Sequence, residues 1–433
     1  QLQLPLCTSW WDELQPRHTP TTSHPASNLD KLRLQARALY EREVAAFTTE
    51  QMRRHGSDQR FVSKLVTSGT FKDKIAALTV QAHESAFHCL PSLQQLLALA
   101  QRPARQVNLK AIEALVELFL QRLLPPRALI PFEQQPLSPS STERQLLEAH
   151  FEATLKGIYA ELVELVVRGT ADNVLYCKQR MIGTVHAMLC GKPELERTLL
   201  PVLVNKLGDP EKKVSSRVTH LLGMLCQEHP AMKPVVLAEI QRFVLRPNVN
   251  DRGKYCATIF MNQIILTRRE PGIAQTLLLI YLSLFGAKAQ DAAQMNTRML
   301  SALLSGIHRA VPFCQSPGNV LIKQLGTLFR CAHATNFATT VQALMVLSHA
   351  AGFDESCTHR FYCAVYEAML HPELSASSKV ALYLNVVYKA MKSDSHQERL
   401  KAFAKRLLQM CSHAAPPLAC GVLLLIAEVS RGK

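Results

Sequence analysis

From Asn28 onward almost every segment of the chain sets its apolar residues at helical spacing, and that one regularity excludes most architectures. Ile112, Leu115, Val116 and Phe119 share one helix face. Val214, Val218, Leu221, Leu222 and Leu225 share another, with Lys213, Arg217 and His220 turned away from it. Alternation with a period of two, which a half-buried strand needs, is hard to find anywhere. The expected class is therefore all-α.

How the helices are separated narrows the class further. Runs of about 12 to 20 residues end at Pro125-Pro126, Gly208-Asp209-Pro210, His229-Pro230, Arg246-Pro247, Pro271-Gly272, His371-Pro372 and Pro416-Pro417. Proline cannot continue a helix and glycine tolerates sharp turns, so this spacing marks a series of helical hairpins. Gly208-Asp209-Pro210, followed by Val214, Arg217 and Val218, is echoed at an offset of 37 residues by Arg246-Pro247-Asn248, followed by Asp251, Lys254 and Tyr255. That offset lies near the period of HEAT and armadillo arrays, whose helix pairs bury their apolar faces only by stacking on neighbours. A HEAT/armadillo-like helical-repeat solenoid is the expected fold, with an irregular helical bundle as the alternative.

Five regions are expected along the chain. Residues 1–27 are rich in Pro, Thr, Ser and His and suit an extended arm, pinned to a neighbouring surface by Trp10 and Trp11. Residues 28–141 form an N-terminal helical section closing in a Pro- and Ser-rich linker, and 142–286 the central repeats. Residues 287–294 are a junction, and 295–433 a C-terminal domain. At 433 residues there is ample chain to bury a core.

The chemistry that the sequence lacks excludes several function classes. No phosphate-binding loop, dinucleotide fingerprint or nucleophile elbow is present, and no carboxylate pair stands in an apolar setting that would divide acid from base roles. An enzyme is not expected, nor a cofactor. His83-Glu84 with His88 superficially resembles a zinc-protease motif, but a spacing of five turns the second histidine by about 140° from the first. Cys331 with His333, Cys357 with His359, and Cys411 with His413 lack the tight paired spacing of zinc sites, so no metal is expected. The 12 cysteines form no Cys-x-x-Cys, which fits a reducing compartment. Leu277 to Ala287 and Leu418 to Ala427 are too short or interrupted to cross a bilayer and are expected as buried helices, so no membrane is implied. A chain beginning at Gln1 is expected to be a fragment or a processed form.

Charge supplies the remaining lead. Lys and Arg number 49 against 34 Asp and Glu, a formal net charge of +15, which favours an anionic partner. Lys379, Lys389, Lys392, Arg399, Lys401, Lys405 and Arg406 face only Asp394 and Glu398. A second group, Lys206, Lys212, Lys213, Arg217, Arg246, Arg252 and Lys254, lies near the turns of the central repeats, where stacking would align charges along one edge. Such edges hold phosphate backbones by summed electrostatics without reading sequence; the competing reading is a solvated face that keeps the protein soluble. Aromatic residues are only 6% of the chain, and neither an RNP strand nor a KH-type loop is present, so base stacking is not the expected mode. Tyr383, Tyr388 and Phe403 are expected in core or interface positions. Leu382, Val386 and the apolar part of 419–426 are expected to offer a partner surface.

One block carries a family resemblance. In Met295 to Leu347, residues Leu300, Leu303, Leu304 and Ile307 make an apolar helix face while Arg298, Ser301, Ser305 and Arg309 gather opposite, and Pro312 ends the helix. The runs Leu303 to Pro312, Leu328 to Arg330, His333 to Phe337 and Gln342 to Met345 resemble the shared C-terminal domain of the CCAAT-binding-factor family, to which the maintenance-of-killer and nucleolar complex proteins of large-subunit ribosome assembly belong. Asp73 to Leu78, Phe132 to Leu137, Asn205 to Pro210, Arg246 to Asn248 and Lys401 to Leu408 extend the resemblance over most of the chain. It implies a nucleolar, non-catalytic scaffold of early large-subunit particles. Implied partners are precursor ribosomal RNA, ribosomal proteins, other assembly factors, and a second helical-repeat nucleolar complex protein docked through the C-terminal domain as a heterodimer. The family usually carries a longer charged insert near 287–294. Its historical name suggests an alternative, a DNA-binding regulator of CCAAT-type promoters, but no basic zipper, zinc finger or recognition helix is evident. A protein-only helical-repeat adaptor is a third reading.

Overall fold

The computed structural model describes residues 3–5, 9–12, 14, 26–54, 56–137, 141–289, 297–315, 321–322, 324–333, 336–351 and 355–431. Most of the expected junction 287–294 and much of the arm lie outside the described residues, as do Ala334 and Thr335 of the resemblance. Among the described residues there are nineteen α-helices and no strand, so the chain is all-α. By internal contacts it divides into two units, Gln1–Lys206 with Glu211–His229, and Leu207–Pro210 with Pro230–Lys433. The division falls inside the stretch 142–286.

The first unit contains α1 (Ala26–Arg54), α2 (Gly56–Ser68), α3 (Phe71–Glu84), α4 (Leu90–Ala100), α5 (Arg105–Leu118), α6 (Glu143–Gly169), α7 (Leu175–Gly191), α8 (Glu196–Asn205) and α9 (Lys212–Glu228). Local chemistry starts several of them. Thr70 and Asp73 form a reciprocal capping box on α3, and Thr142 and Gln145 do the same on α6, satisfying N–H groups that have no partner within the helix. Helix α3 packs on α5, α5 on α7 and α7 on α9, while α4 packs on α6 and α6 on α8. Each helix thus meets both its chain neighbour and the helix two places on, which is the two-layered stacking of a helical repeat. Helix α1 breaks the series by lying along α6, where Leu32 and Ala36 share a core with Phe132, Leu137, Leu146 and Ala149.

Buried charges fasten the connection before α6. Glu152, fully buried, accepts from the Ile130 N–H at 3.0 Å and pairs with Arg127. Glu194, also buried, accepts from the Leu129 N–H at 2.6 Å and from Lys156 at 2.8 Å. These bonds tie the turn preceding Phe132 to Leu137 to both α6 and the start of α8. The arm is anchored too: Trp10 is fully buried, and Glu43 accepts from the backbone N–H groups of Gln3 and Leu4 at 2.7 and 2.9 Å.

The second unit contains α10 (Lys233–Leu245), α11 (Asp251–Gln263), α12 (Pro271–Ala289), α13 (Thr297–Ala310), α14 (Leu325–Ala332), α15 (Phe337–Ala350), α16 (Glu355–Ala368), α17 (Val380–Ser393), α18 (Gln397–Cys411) and α19 (Pro416–Arg431). Helices α11, α13, α15, α17 and α19 form a continuous file, each against the next, and α10 packs on α12. The two echoed turns meet here. A Cβ on Gly253 would come within 3.0 Å of the Gly208 Cα and 2.9 Å of the Asn250 side-chain oxygen that caps α11, so the Gly208-Asp209-Pro210 turn sits directly on the α11 N-terminus.

Helix α13 buries Leu300, Leu303, Leu304 and Ile307 as its periodicity predicts, and Pro312 lies in the 3₁₀ turn that ends it. Its opposite face is a correction. Arg309 does not point outward but donates to the Met261 carbonyl at 3.0 Å, with its Nε buried and unpaired. Ser301 and Ser305 accept from the Gln342 amide of α15 at 2.8 and 3.2 Å, and His308 meets His349 at 3.1 Å. A helix in the middle of a file is covered on two sides, so part of its polar face also becomes interface. Val386 is likewise core, 4% exposed, and not a partner surface, whereas Leu423 and Leu424 of α19 are exposed and make that helix only half buried. No helix among the described residues is long and apolar enough to cross a membrane.

The histidine pair sets a pH dependence. Burial, then the neighbouring His308 and Lys389, pushes His349 down from 6.5 to about 4. The folded form therefore binds fewer protons than the unfolded one. Stability from this site should be complete above pH 6.5 and decline as pH falls toward 4. Urea midpoints measured across that range should show a smaller acid loss in His349→Gln than in the parent chain; equal losses would place the acid sensitivity elsewhere.

Candidate nucleic-acid interface

The seven C-terminal cations sit on or beside α17 and α18, and packing divides them. Helix α18 turns Phe403 and Leu407 inward, which leaves Lys401, Lys405 and Leu408 on its outer face at i, i+4 and i+7. Lys401 pairs with Glu398 at 2.8 Å, but with the two side chains 69% and 87% exposed the pair is screened by water and readily exchanged. Lys405 is exposed and has no ion pair among the described residues. On α17, Lys389 and Lys392 are exposed one turn apart, and Lys392 donates to the Tyr388 hydroxyl at 3.1 Å. Lys379 is half-buried at the start of the same helix.

The two arginines are committed to structure. Arg399 donates to Asp394 at 2.7 Å and lies 4.0 Å over the Tyr362 ring. Burial works to raise the Asp394 carboxyl, yet the bonds from Arg399 and the His396 N–H hold it below its ordinary value. Arg406 donates through Nε to the Tyr366 hydroxyl at 3.1 Å and stacks 5.2 Å over its ring. A phosphate would have to displace these contacts. Tyr383 and Phe403 are core, and Tyr388 is half-buried under Lys392.

The repeat-turn group is shared between the two units. In the first, Lys212 and Lys213 are exposed in the opening turn of α9, and Arg217, one turn further, reaches Gly183 of α7, where an added Cβ would lie 3.3 Å from its guanidinium. Lys206 is half-buried at the end of α8. In the second, Arg246 pairs with the buried Glu239 at 3.4 Å, Arg252 donates to the Pro210 carbonyl and thereby clamps the turn, and Lys254 is half-buried. Arg268 and Arg269, exposed in the connection after α11, lie at the other end of that helix and were not singled out by sequence. Their signal was present: an Arg-Arg pair between two helices has no apolar face to serve.

Residues 340–433 match the CBF/Mak21 family, beginning downstream of the Leu303 to Pro312 block. The chain is 34% identical over 437 residues to mouse CCAAT/enhancer-binding protein zeta, covering 98% of this chain and 41% of that protein. It is 35% identical over 478 residues to ribosome biogenesis protein NOC1 of Chaetomium thermophilum, covering 97% and 45%. Nucleolar complex protein 1 of Drosophila melanogaster is 30% identical over 398 residues, covering 88% and 34%. The chain spans less than half the length of each of these relatives.

Proposed function

Because the chain belongs to the CBF/Mak21 family, with relatives named for ribosome biogenesis and for the nucleolar complex, we propose that it is a non-catalytic scaffold of large-subunit assembly in the nucleolus. In this role it binds folded precursor ribosomal RNA and early assembly proteins, and pairs with another helical-repeat nucleolar complex protein. The observation that supports the RNA contact is the set Lys389, Lys392, Lys401 and Lys405: all are exposed, and none is held by a buried acid. Phosphate contacts need such freedom, since an ammonium already neutralised in the interior has little left to give a backbone.

Replacing these four lysines together by alanine is expected to weaken binding to structured RNA roughly tenfold or more, and to reduce the slope of log affinity against log salt by about 2 to 4. Arg399→Ala, in contrast, should act mainly on stability. Filter binding across a salt series separates the two, and an unchanged slope in the lysine variant would assign that surface to solubility or protein contact. In cells, ultraviolet crosslinking with sequencing should concentrate reads on large-subunit precursor RNA. Preference for CCAAT-containing duplex DNA over folded RNA would instead support the transcriptional reading.

A further inference from the structure

One cluster of side chains lies where α7 and α9 end side by side. Cys190 is near the end of α7 and His186 lies four residues earlier on the same face, while Glu228 and His229 close α9, the helix against which α7 packs. The ligand atoms of Cys190, Glu228 and His229 lie within 4.8 Å of one another, and His186 Nε2 is 3.4 Å from the Cys190 sulfur. Ideal bonds of about 2.3 Å to sulfur and 2.0 Å to nitrogen at a tetrahedral angle place the two donor atoms ~3.5 Å apart. We propose that Cys190, Glu228 and His229 hold a zinc(II) ion that fastens the C-terminal ends of α7 and α9, with His186, 3.4 Å from the sulfur, turning in to fill the fourth position.

Several features fit a metal better than other uses of these residues. A thiolate and a carboxylate together balance a divalent cation, and two imidazoles complete a borderline-soft S, N, N, O set suited to zinc. One ring is already oriented from behind: His229 donates its Nε2–H to the Cys190 carbonyl at 2.9 Å, which leaves Nδ1 with the free lone pair. His186 is 7% exposed while Glu228 and His229 are exposed, so one side of the set is fixed and the other admits an ion from solvent. With His186 turned in, the four protein donors would leave no open position, so the site would be structural. In sequence these residues show only His-x-x-x-Cys, with Glu228 and His229 lying 38 and 39 residues beyond Cys190.

The test uses the full chain loaded with zinc(II) or cobalt(II) alone. After exhaustive dialysis, elemental analysis should find one zinc per chain, and cobalt should give thiolate charge-transfer absorption that Cys190→Ser abolishes. His229→Ala and Glu228→Gln, at exposed positions, should each weaken zinc binding at least about tenfold, as loss of even a supporting group does, while leaving melting in chelator unchanged. Zinc should raise the melting temperature of the parent chain but not of Cys190→Ser. No retained metal, or cobalt absorption unchanged by Cys190→Ser and so arising from others of the 12 cysteines, would overturn the proposal.

Discussion

Replacing Trp10 by alanine is expected to destabilise the first unit by about 3 to 5 kcal/mol, the range for emptying a buried aromatic site. The indole is completely buried, with Phe151 and Phe87 edge-on at 5.2 and 6.3 Å. Its Nε1–H donates at 2.8 Å to the carbonyl of Leu123, the last residue of the π turn Phe119–Leu123 that ends α5. Loss of the ring therefore opens a cavity and also strips a helix-terminal carbonyl of its donor. Trp10→Phe, which keeps most of the apolar volume, should cost about 1 to 2 kcal/mol and isolate the hydrogen bond. Urea unfolding followed by circular dichroism measures both. A change within about 0.5 kcal/mol for the alanine variant would mean that the arm is not part of the cooperative unit.

Gly306→Ala should cost the second unit about 3 kcal/mol, although helix propensity alone favours alanine by about 1 kcal/mol. Packing decides the sign. A Cβ at this position would stand 2.5 Å from the Asn262 side-chain oxygen and 2.6 Å from the Tyr281 ring. Neither can retreat freely: Tyr281 is fully buried and donates its hydroxyl to that oxygen at 2.7 Å, while Asn262 donates to the Ala302 carbonyl at 2.9 Å. The methyl group must either overpack the site or break the hydrogen bonds that join α11, α12 and α13, at 1 to 3 kcal/mol for each mechanism, roughly. Removing the obstacle provides the check. In an Asn262→Ala background, Gly306→Ala should cost much less than in the parent, and an equal cost in both backgrounds would locate the strain at the Tyr281 ring or the backbone. No described glycine has a positive φ, so backbone conformation does not contribute.

The apolar face of α13 could be read directly because spacing at i, i+3, i+4 and i+7 records that a helix is covered, whatever covers it. The same is true of Pro312 at the end of α13. Arg309 could not be read this way. Its place on the polar side of the helical wheel says only that it avoids the first neighbour, and in a file of helices there is a second. Arg399 and Arg406 fail for the same reason, since Asp394 lies within reach along the chain but Tyr362 and Tyr366 are on another helix.

Sequence by itself determined the all-helical class, the stacking of hairpins and the inward faces, because helix geometry repeats every few residues and chain-local turn chemistry punctuates it. Tertiary structure alone decided which cations remain free and which donors converge. Arg406 meets Tyr366 across 40 residues, and Cys190 meets Glu228 across 38. Charge and ligand chemistry act through distance in space, and in a chain of short helices that distance is set by which helix stacks on which.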